Sequence, residues 1–173
     1  MGTNPTELRQ ILLSIEACHQ HLTDIFPHEG LKAGGGSRLF LGGALSPVLQ
    51  KCFAEIRVAL HRLPGLEARE DLESLWNEGG RLFARVEKEG RNGNAARIDE
   101  AVTLLFLISG TTWNVLSSGL TEPRPHDERC YRVEPMSVLL KRCNRQEKAS
   151  EGFDLIIFAK KLRDEAAVCL RKP

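Results

Sequence analysis

The sequence predicts an all-α protein, a single-domain bundle of five to six helices over residues 1–173. Three observations indicate this fold. Apolar residues recur every three or four positions in several segments, Pro and Gly stand where those segments begin and end, and residues 101–120 carry no charge at all. A chain of this length corresponds to about one domain and buries enough surface to form its own core.

The first two predicted helices have wide apolar stripes. In the first, which follows Pro5, the residues of the stripe are Leu8, Ile11, Ile15, Cys18, Leu22 and Ile25. The second begins at Ser46 and Pro47, a capping residue and a first-turn residue, and ends before Pro64 and Gly65. Stripes of this width predict packing on several neighbouring helices rather than a two-stranded coiled coil.

Three further helices and three connecting loops are predicted around residues 101–120. The helices cover residues 67–89, 136–148 and 152–170, each with apolar residues at helical spacing. The loops lie near residues 27–45, 90–96 and 121–135, where Gly, Asn or Pro interrupt the pattern. Gly79 and Gly80 fall in the middle of the third helix, so the pattern alone leaves its continuity open.

The uncharged segment reads "AVTLLFLISGTTWNVLSSGL". Its polar and small residues Thr103, Gly110, Asn114 and Ser117 follow one side of a helix, whereas a strand would place them on both faces. A membrane span needs ~20 predominantly apolar residues, and the Thr, Ser, Asn and Gly content is high for one. We therefore predict a buried central helix with Trp113 in the core.

An alternative fold remains open at this stage. In a small α/β protein, short strands would lie near residues 38–41, 103–109 and 154–158, which are the segments whose apolar runs are compatible with a strand.

Charge and cysteine content narrow the class of protein. The chain has 24 basic and 23 acidic residues, and this balance argues against a surface built as a whole for polyanions. Its five cysteines form no CxxC pair, which favours reduced thiols over a disulfide framework. The first ten residues do not resemble a signal peptide. We therefore expect a cytoplasmic protein.

No cofactor and no metal site are predicted. The glycine-rich segment 34–43 precedes a helix but lacks both GxxxxGK[ST] and GxGxxG, so its function stays open. His19 and His21 are two positions apart and do not face each other on a helix, whereas Cys18 and His21 would supply only two zinc ligands. No Ser/His/Asp, HExxH or paired-carboxylate motif stands out, and an enzyme with an unrecognised site remains an alternative.

A basic C-terminal patch is the candidate site for nucleic acid or for a partner. Its residues are Arg129, Arg132, Lys141, Arg142, Arg145 and Lys148. Residues of this type neutralise phosphates, and reversing Arg142 and Arg145 to Glu is expected to weaken such binding with little effect on the melting temperature. The alternative function is therefore a nucleic-acid-associated helical subunit.

The first functional hypothesis is a macromolecular-interaction protein: an adaptor, a chaperone or an accessory subunit of a larger complex. It rests on the absence of a catalytic motif and on apolar residues beside the main stripes. These candidates for an apolar partner surface are Leu39, Phe40, Leu41, Val133 and Met136. We expect a protein partner or a homo-oligomer, and no membrane span.

Overall fold

The described residues of the computed structural model are 5–25, 46–63, 66, 69–92, 95–118, 133–147 and 153–172. They form six α-helices: α1 (Pro5–Ile25), α2 (Ser46–Arg62), α3 (Arg69–Asn92), α4 (Ala95–Ser117), α5 (Met136–Arg142) and α6 (Leu155–Arg171). These ranges contain no strand, and the predicted all-α bundle is confirmed.

The α/β alternative is wrong where it can be compared with the structure. Residues 103–109 lie within α4, and residues 154–158 cap and begin α6. Residues 38–41, the third proposed strand, lie outside the described ranges. On both sides of each segment, buried positions recur with the 3.6-residue period of a helix. The apolar runs do not require a strand, because a helix packed on several neighbours buries them as completely as a central strand would.

Helix α4 is the centre of the bundle. It packs against α1, α3, α5 and α6, and every residue from Leu104 to Trp113 is buried. Trp113 is 4% exposed, so its predicted place in the core is confirmed. Within the described ranges, no helix has both the length and the apolar content that a membrane crossing needs.

Helix α3 runs without interruption through Gly79 and Gly80. Gly79 lies where three helices meet, since a Cβ at this position would stand 3.2 Å from the Phe53 ring of α2 and 3.6 Å from Ile108 of α4. The Phe53 ring also packs on Trp76, with ring centroids 5.1 Å apart. The small residue therefore lets α3 approach both neighbours.

Helix α5 is shorter than the predicted helix at residues 136–148. It ends at Arg142, and Asn144 adopts a positive φ of 55°, a conformation that Asn tolerates better than most residues. The backbone N–H of Arg145 then donates to the carbonyl of Leu140 at 2.8 Å. A left-handed residue and this closing hydrogen bond together end the helix.

Other predicted boundaries shift by a few residues. The predicted loop at 90–96 is too wide, because α3 reaches Asn92 and α4 begins at Ala95. Gly and Asn permit a break without requiring one, so helical hydrogen bonding extends into the segment from both sides. Helix α6 begins at Leu155 rather than near residue 152, because the Asp154 side chain accepts hydrogen bonds from the N–H groups of Ile156 and Ile157 and caps the first turn.

The C-terminal end of α6 is held by α3. The Arg85 guanidinium donates to the carbonyl of Leu170 at 2.7 Å and to that of Cys169 at 3.3 Å, and it also bonds to the carbonyl of Lys172. The last carbonyls of a helix lack partners within the helix. Arg85 therefore satisfies a group of acceptors that would otherwise face solvent.

Candidate functional site

Four polar side chains form a continuous chain of hydrogen bonds inside the bundle. His19 of α1 places its Nδ1 2.7 Å from Ser109 Oγ of α4 and its Nε2 3.2 Å from Glu134 Oε2, just before α5. The other oxygen of Glu134 accepts from Arg142 of α5. We call Ser109, His19, Glu134 and Arg142 the buried polar chain.

The order serine, histidine, carboxylate is that of a nucleophilic triad, but the surroundings are not those of an active site. A catalytic serine has to be reached by its substrate. Ser109 is 0% exposed, His19 is 3% exposed, and the Ser109 hydroxyl lies 3.0 Å from the Phe106 carbonyl of its own helix. The arrangement fastens α1 and α5 to the central helix instead.

Phe106 encloses the chain from the apolar side. Its ring lies edge-on to the His19 imidazole, with centroids 5.4 Å apart, and the Arg142 guanidinium lies 4.7 Å from the ring centroid on its face. Burial by itself would raise the pKa of Glu134, but the hydrogen bond from His19 and the charges of Arg142 and His19 hold that pKa below its usual value of 4.5. Glu134 is therefore an ionised, internally paired carboxylate.

A second carboxylate, in the core, has its pKa shifted in the opposite direction. Glu16 of α1 is 5% exposed and accepts a hydrogen bond from Trp113 Nε1 at 3.1 Å. Burial raises the pKa of Glu16, and the Trp113 hydrogen bond offsets only part of that rise. The other indole of the core, Trp76, donates to Thr112 Oγ1 at 2.9 Å. The polar groups of α4 are thus used to satisfy side chains of the surrounding helices.

Two arginines of the predicted basic patch form ion pairs within the chain. The side chains of Arg142 and Arg145 are 12% and 19% exposed, and Arg145 makes a two-pronged contact with Glu165 at 2.9 and 2.8 Å. These two arginines are therefore not the solvated charges on which the expectation of a small effect on the melting temperature was based. Lys141 is exposed, whereas Arg129, Arg132 and Lys148 lie outside the described residues.

The residues of the predicted apolar partner surface are either buried in the core or outside the described ranges. Val133 and Met136 are 5% and 6% exposed and belong to the core, so the structure does not offer them to a partner. Leu39, Phe40 and Leu41 lie outside the described ranges. The large aliphatic residues that are exposed, within the part of the chain that the structure describes, are Leu13, Val48, Val58, Val138, Ile157 and Val168.

Two surface grooves carry some of these exposed aliphatic residues. The first, of about 530 Å³, lies between α1 and α2 and is lined by Glu7, Gln10, Ile11, Ser14, Ala54, Glu55, Ile56, Val58, Ala59, Arg62 and Leu63. The second, of about 820 Å³, lies between α4 and α6 and includes Leu104, Ile157 and Val168. We call them the α1/α2 groove and the α4/α6 groove.

The thiols and histidines form no metal centre among the described residues. Cys18 and Cys169 are buried, and Cys52 and Cys143 are half-buried. Burial raises the pKa of the Cys18 thiol and raises that of Cys143 to about 11. Both thiols stay protonated at neutral pH and are poor nucleophiles.

The buried polar chain escaped prediction because its members are distant in sequence. His19 lies 90 positions from Ser109 and 115 from Glu134. The only signal was the presence of hydroxyl and amide side chains in the otherwise apolar α4, which indicated polar partners without identifying them.

No protein-family model, no curated protein and no solved structure matches this chain.

Proposed function

We propose that the protein is a helical protein-binding module that holds an amphipathic helix of another protein in the α1/α2 groove. The observation that carries this proposal is Val58, an aliphatic side chain that is 43% exposed on the rim of a groove with an apolar floor. Such a module would serve as an adaptor, a chaperone or an accessory subunit in the cytoplasm.

The shape of the α1/α2 groove suits a helix. Ile11, Ile56 and Leu63 form its buried floor, so side chains inserted from outside meet apolar surface. The walls carry the small residues Ser14 and Ala54, both exposed, which leave room for a second backbone to approach. Apolar anchors of a partner helix gain ~1.5–3 kcal/mol each when they are buried in such a groove.

The charges on the rim define the partner further. Glu7 of α1 and Glu55 of α2 are exposed and place a carboxylate on each wall of the groove; Glu55 lies 3.7 Å from Lys51, and Arg62 of α2 lines the same groove. A partner helix with basic residues flanking its apolar stripe matches these two carboxylates, and charge complementarity of this kind fixes orientation and speeds association.

A binding role is supported over a catalytic role by the placement of the polar side chains. The hydroxyl of Ser109 and the imidazole of His19, which make up the nucleophile and base of a possible triad, are enclosed by the bundle. The nucleic-acid alternative loses support because Arg142 and Arg145 already bind carboxylates of this chain.

Photo-crosslinking in the native cell tests the proposal. A photoreactive residue replaces Val58 in the full chain, and the matched control replaces Val138, which is 50% exposed on α5 and is not among the residues that line the α1/α2 groove. We expect a discrete protein adduct from position 58, absent from position 138, that persists at high salt. The further substitution Ser14→Arg should remove the adduct because it fills the groove while the melting temperature stays near that of the parent.

Two results would contradict the proposal. One is the same set of adducts from positions 58 and 138. The other is an adduct only with nucleic acid that disappears as the salt concentration rises, since salt-sensitive binding is typical of phosphate contacts. The second result would support the alternative of a nucleic-acid-associated subunit.

A further inference from the structure

The outer face of α6 carries the most exposed large aliphatic residue among those described, Ile157, at 64%. Val168, 52% exposed, lies eleven positions later and therefore about three turns along the same face. Between them on this face are Lys161 and Asp164, whose side chains are 50% and 75% exposed. The opposite face of the helix is buried in the core.

We propose that this outer face binds a second copy of the chain, with the two α6 helices antiparallel about a twofold axis that passes between Leu162 and Arg163. The α4/α6 groove runs beside the contact, and its wall residues Ile157 and Val168 belong to both features. The proposal concerns a different surface from the α1/α2 groove and does not depend on it.

The order of residues along α6 is self-complementary about that axis. In an antiparallel twofold pair, a residue on one side of the axis faces the residue at the same distance on the other side in the second copy. Ile157 then faces Val168, and Lys161 faces Asp164. The capping residue Asp154 faces Arg171 in the same register. These pairs are one apolar contact and two contacts between opposite charges, and the symmetry repeats each of them.

Other registers of the same two helices are unfavourable. A shift of one turn in one direction sets Ile157 against Asp164, and a shift in the other direction sets Lys161 against Val168, so that a charge faces an aliphatic side chain. A parallel pairing in register places Lys161 against Lys161 and Asp164 against Asp164. Like charges that face each other oppose association, so the charge order selects the antiparallel arrangement.

The contacts already present within one chain are compatible with the pairing. Lys161 binds Glu147 and Asp164 lies 3.5 Å from Arg163 on the same helix, but both side chains remain at least half exposed. Glu165 is held by Arg145, and its side chain is still 33% exposed. The second copy therefore adds partners at the exposed edges of existing ion pairs instead of breaking them. Leu104, at the floor of the α4/α6 groove, gives the aliphatic side chains of the second copy an apolar surface.

A charge swap tests the register directly. Sedimentation velocity on the full chain over a range of concentrations measures the dissociation constant of the dimer. Lys161→Asp and Asp164→Lys, each made alone, place like charges opposite one another twice per dimer and should raise that constant about tenfold or more. The double variant carrying both substitutions restores opposite charges and should return the constant to near that of the wild type.

Controls separate loss of the interface from loss of the fold. Ile157→Asp should abolish the dimer, whereas Val138→Asp, at an exposed aliphatic position on α5, should leave it intact. The melting temperature of each variant, measured at a concentration where the chain is monomeric, shows whether it still folds. The proposal is overturned if the wild type stays monomeric at about 1 mM, the weak end of specific association. It is also overturned if the double variant dimerises no better than the single variants.

Discussion

Helices α4 and α6 use their polar residues in opposite ways. Along the 23 residues of α4, the polar side chains in the middle are buried and bonded to other parts of the same chain, as Ser109 is to His19 and Thr112 is to Trp76. Along the 17 residues of α6, one face joins the core and the other presents charges and two aliphatic residues to solvent. The polar groups of α4 therefore bond within the core, whereas Lys161 and Asp164 on the outer face of α6 remain at least half exposed.

The largest expected difference comes from removing one charge from the buried polar chain, which packs on α4, and one charge from α6. Arg142→Met leaves the half-buried Glu134 without its cationic partner, and we expect a loss of about 2 kcal/mol in the free energy of unfolding. Lys160→Met removes a half-exposed amino group of α6 that lies 3.9 Å from Asp71, and it should cost no more than about 0.5 kcal/mol. Urea unfolding of both variants measures the two values. Equal losses would remove the distinction between the buried polar chain and the charges of α6.

Glycine substitutions test how closely the central helix is packed. A Cβ at Gly110 of α4 would overlap the buried side chain of Leu139 in α5, whereas a Cβ at Gly80 of α3 meets nothing within 4 Å. We expect Gly110→Ala to destabilise by about 1–2 kcal/mol, because overpacking outweighs the gain in helix propensity. Gly80→Ala should stabilise by about 0.5–1 kcal/mol through propensity alone. Thermal unfolding shows whether each substitution raises or lowers the stability of the protein. A stabilising Gly110→Ala would show that α5 moves aside freely.

The two buried carboxylates predict opposite dependence on pH. The lowered pKa of Glu134 means that its ionised form stabilises the fold above pH 4.5, and this contribution is lost as the pH falls through the folded-state pKa. The raised pKa of Glu16 means that stability is lost as the pH rises through its folded-state pKa. With Glu134→Gln, the advantage of the wild type should therefore grow with pH, and with Glu16→Gln it should shrink. Urea unfolding between about pH 3 and pH 7 measures the direction of both trends.

The smallest effect on stability is expected at Lys141, the exposed member of the predicted basic patch within the described ranges. Lys141→Glu should change the melting temperature little, because a solvated charge contributes little to folding. If the chain binds nucleic acid through this patch, losing one phosphate contact should lower the slope of log affinity against log salt by about 0.7–0.9. An unchanged slope, or no binding at low salt, would contradict the nucleic-acid alternative.

Local patterns predicted the helices better than their ends or their polar contacts. The stripes of α1 and α2 and the uncharged run of α4 indicate helices because a helix and its buried face follow the same 3.6-residue period. The end of α5 depends on the left-handed backbone of Asn144, which a pattern of side chains does not encode. Val133 was predicted to belong to an apolar partner surface because it is an apolar residue beside the main stripes, yet packing beside Gly110 buries it.

In the candidate sites, too, the sequence alone did not predict which polar residues meet. The buried polar chain joins residues from distant parts of the sequence, so only the folded chain reveals which hydroxyl meets which histidine. From the sequence, Arg142 and Arg145 were interpreted as solvated charges. The pairing of Arg145 with Glu165 could not be read from the sequence, because the two residues are 20 positions apart. By contrast, the self-complementary order along α6 is present in the sequence, but the structure was needed to place those residues together on an exposed face.

The hydrogen bonds from Arg85 to the last carbonyls of α6 bear on the proposed pairing of that helix with a second copy. The final turn of a helix ordinarily frays, and an interface that includes it has to order the turn at the moment of binding. Arg85 binds the carbonyls of Cys169 and Leu170 in the isolated chain, so the turn that presents Arg171 is already in place. The entropic cost of ordering is met during folding of the monomer, and amide hydrogens of this turn should exchange with solvent more slowly than those of an uncapped helix end.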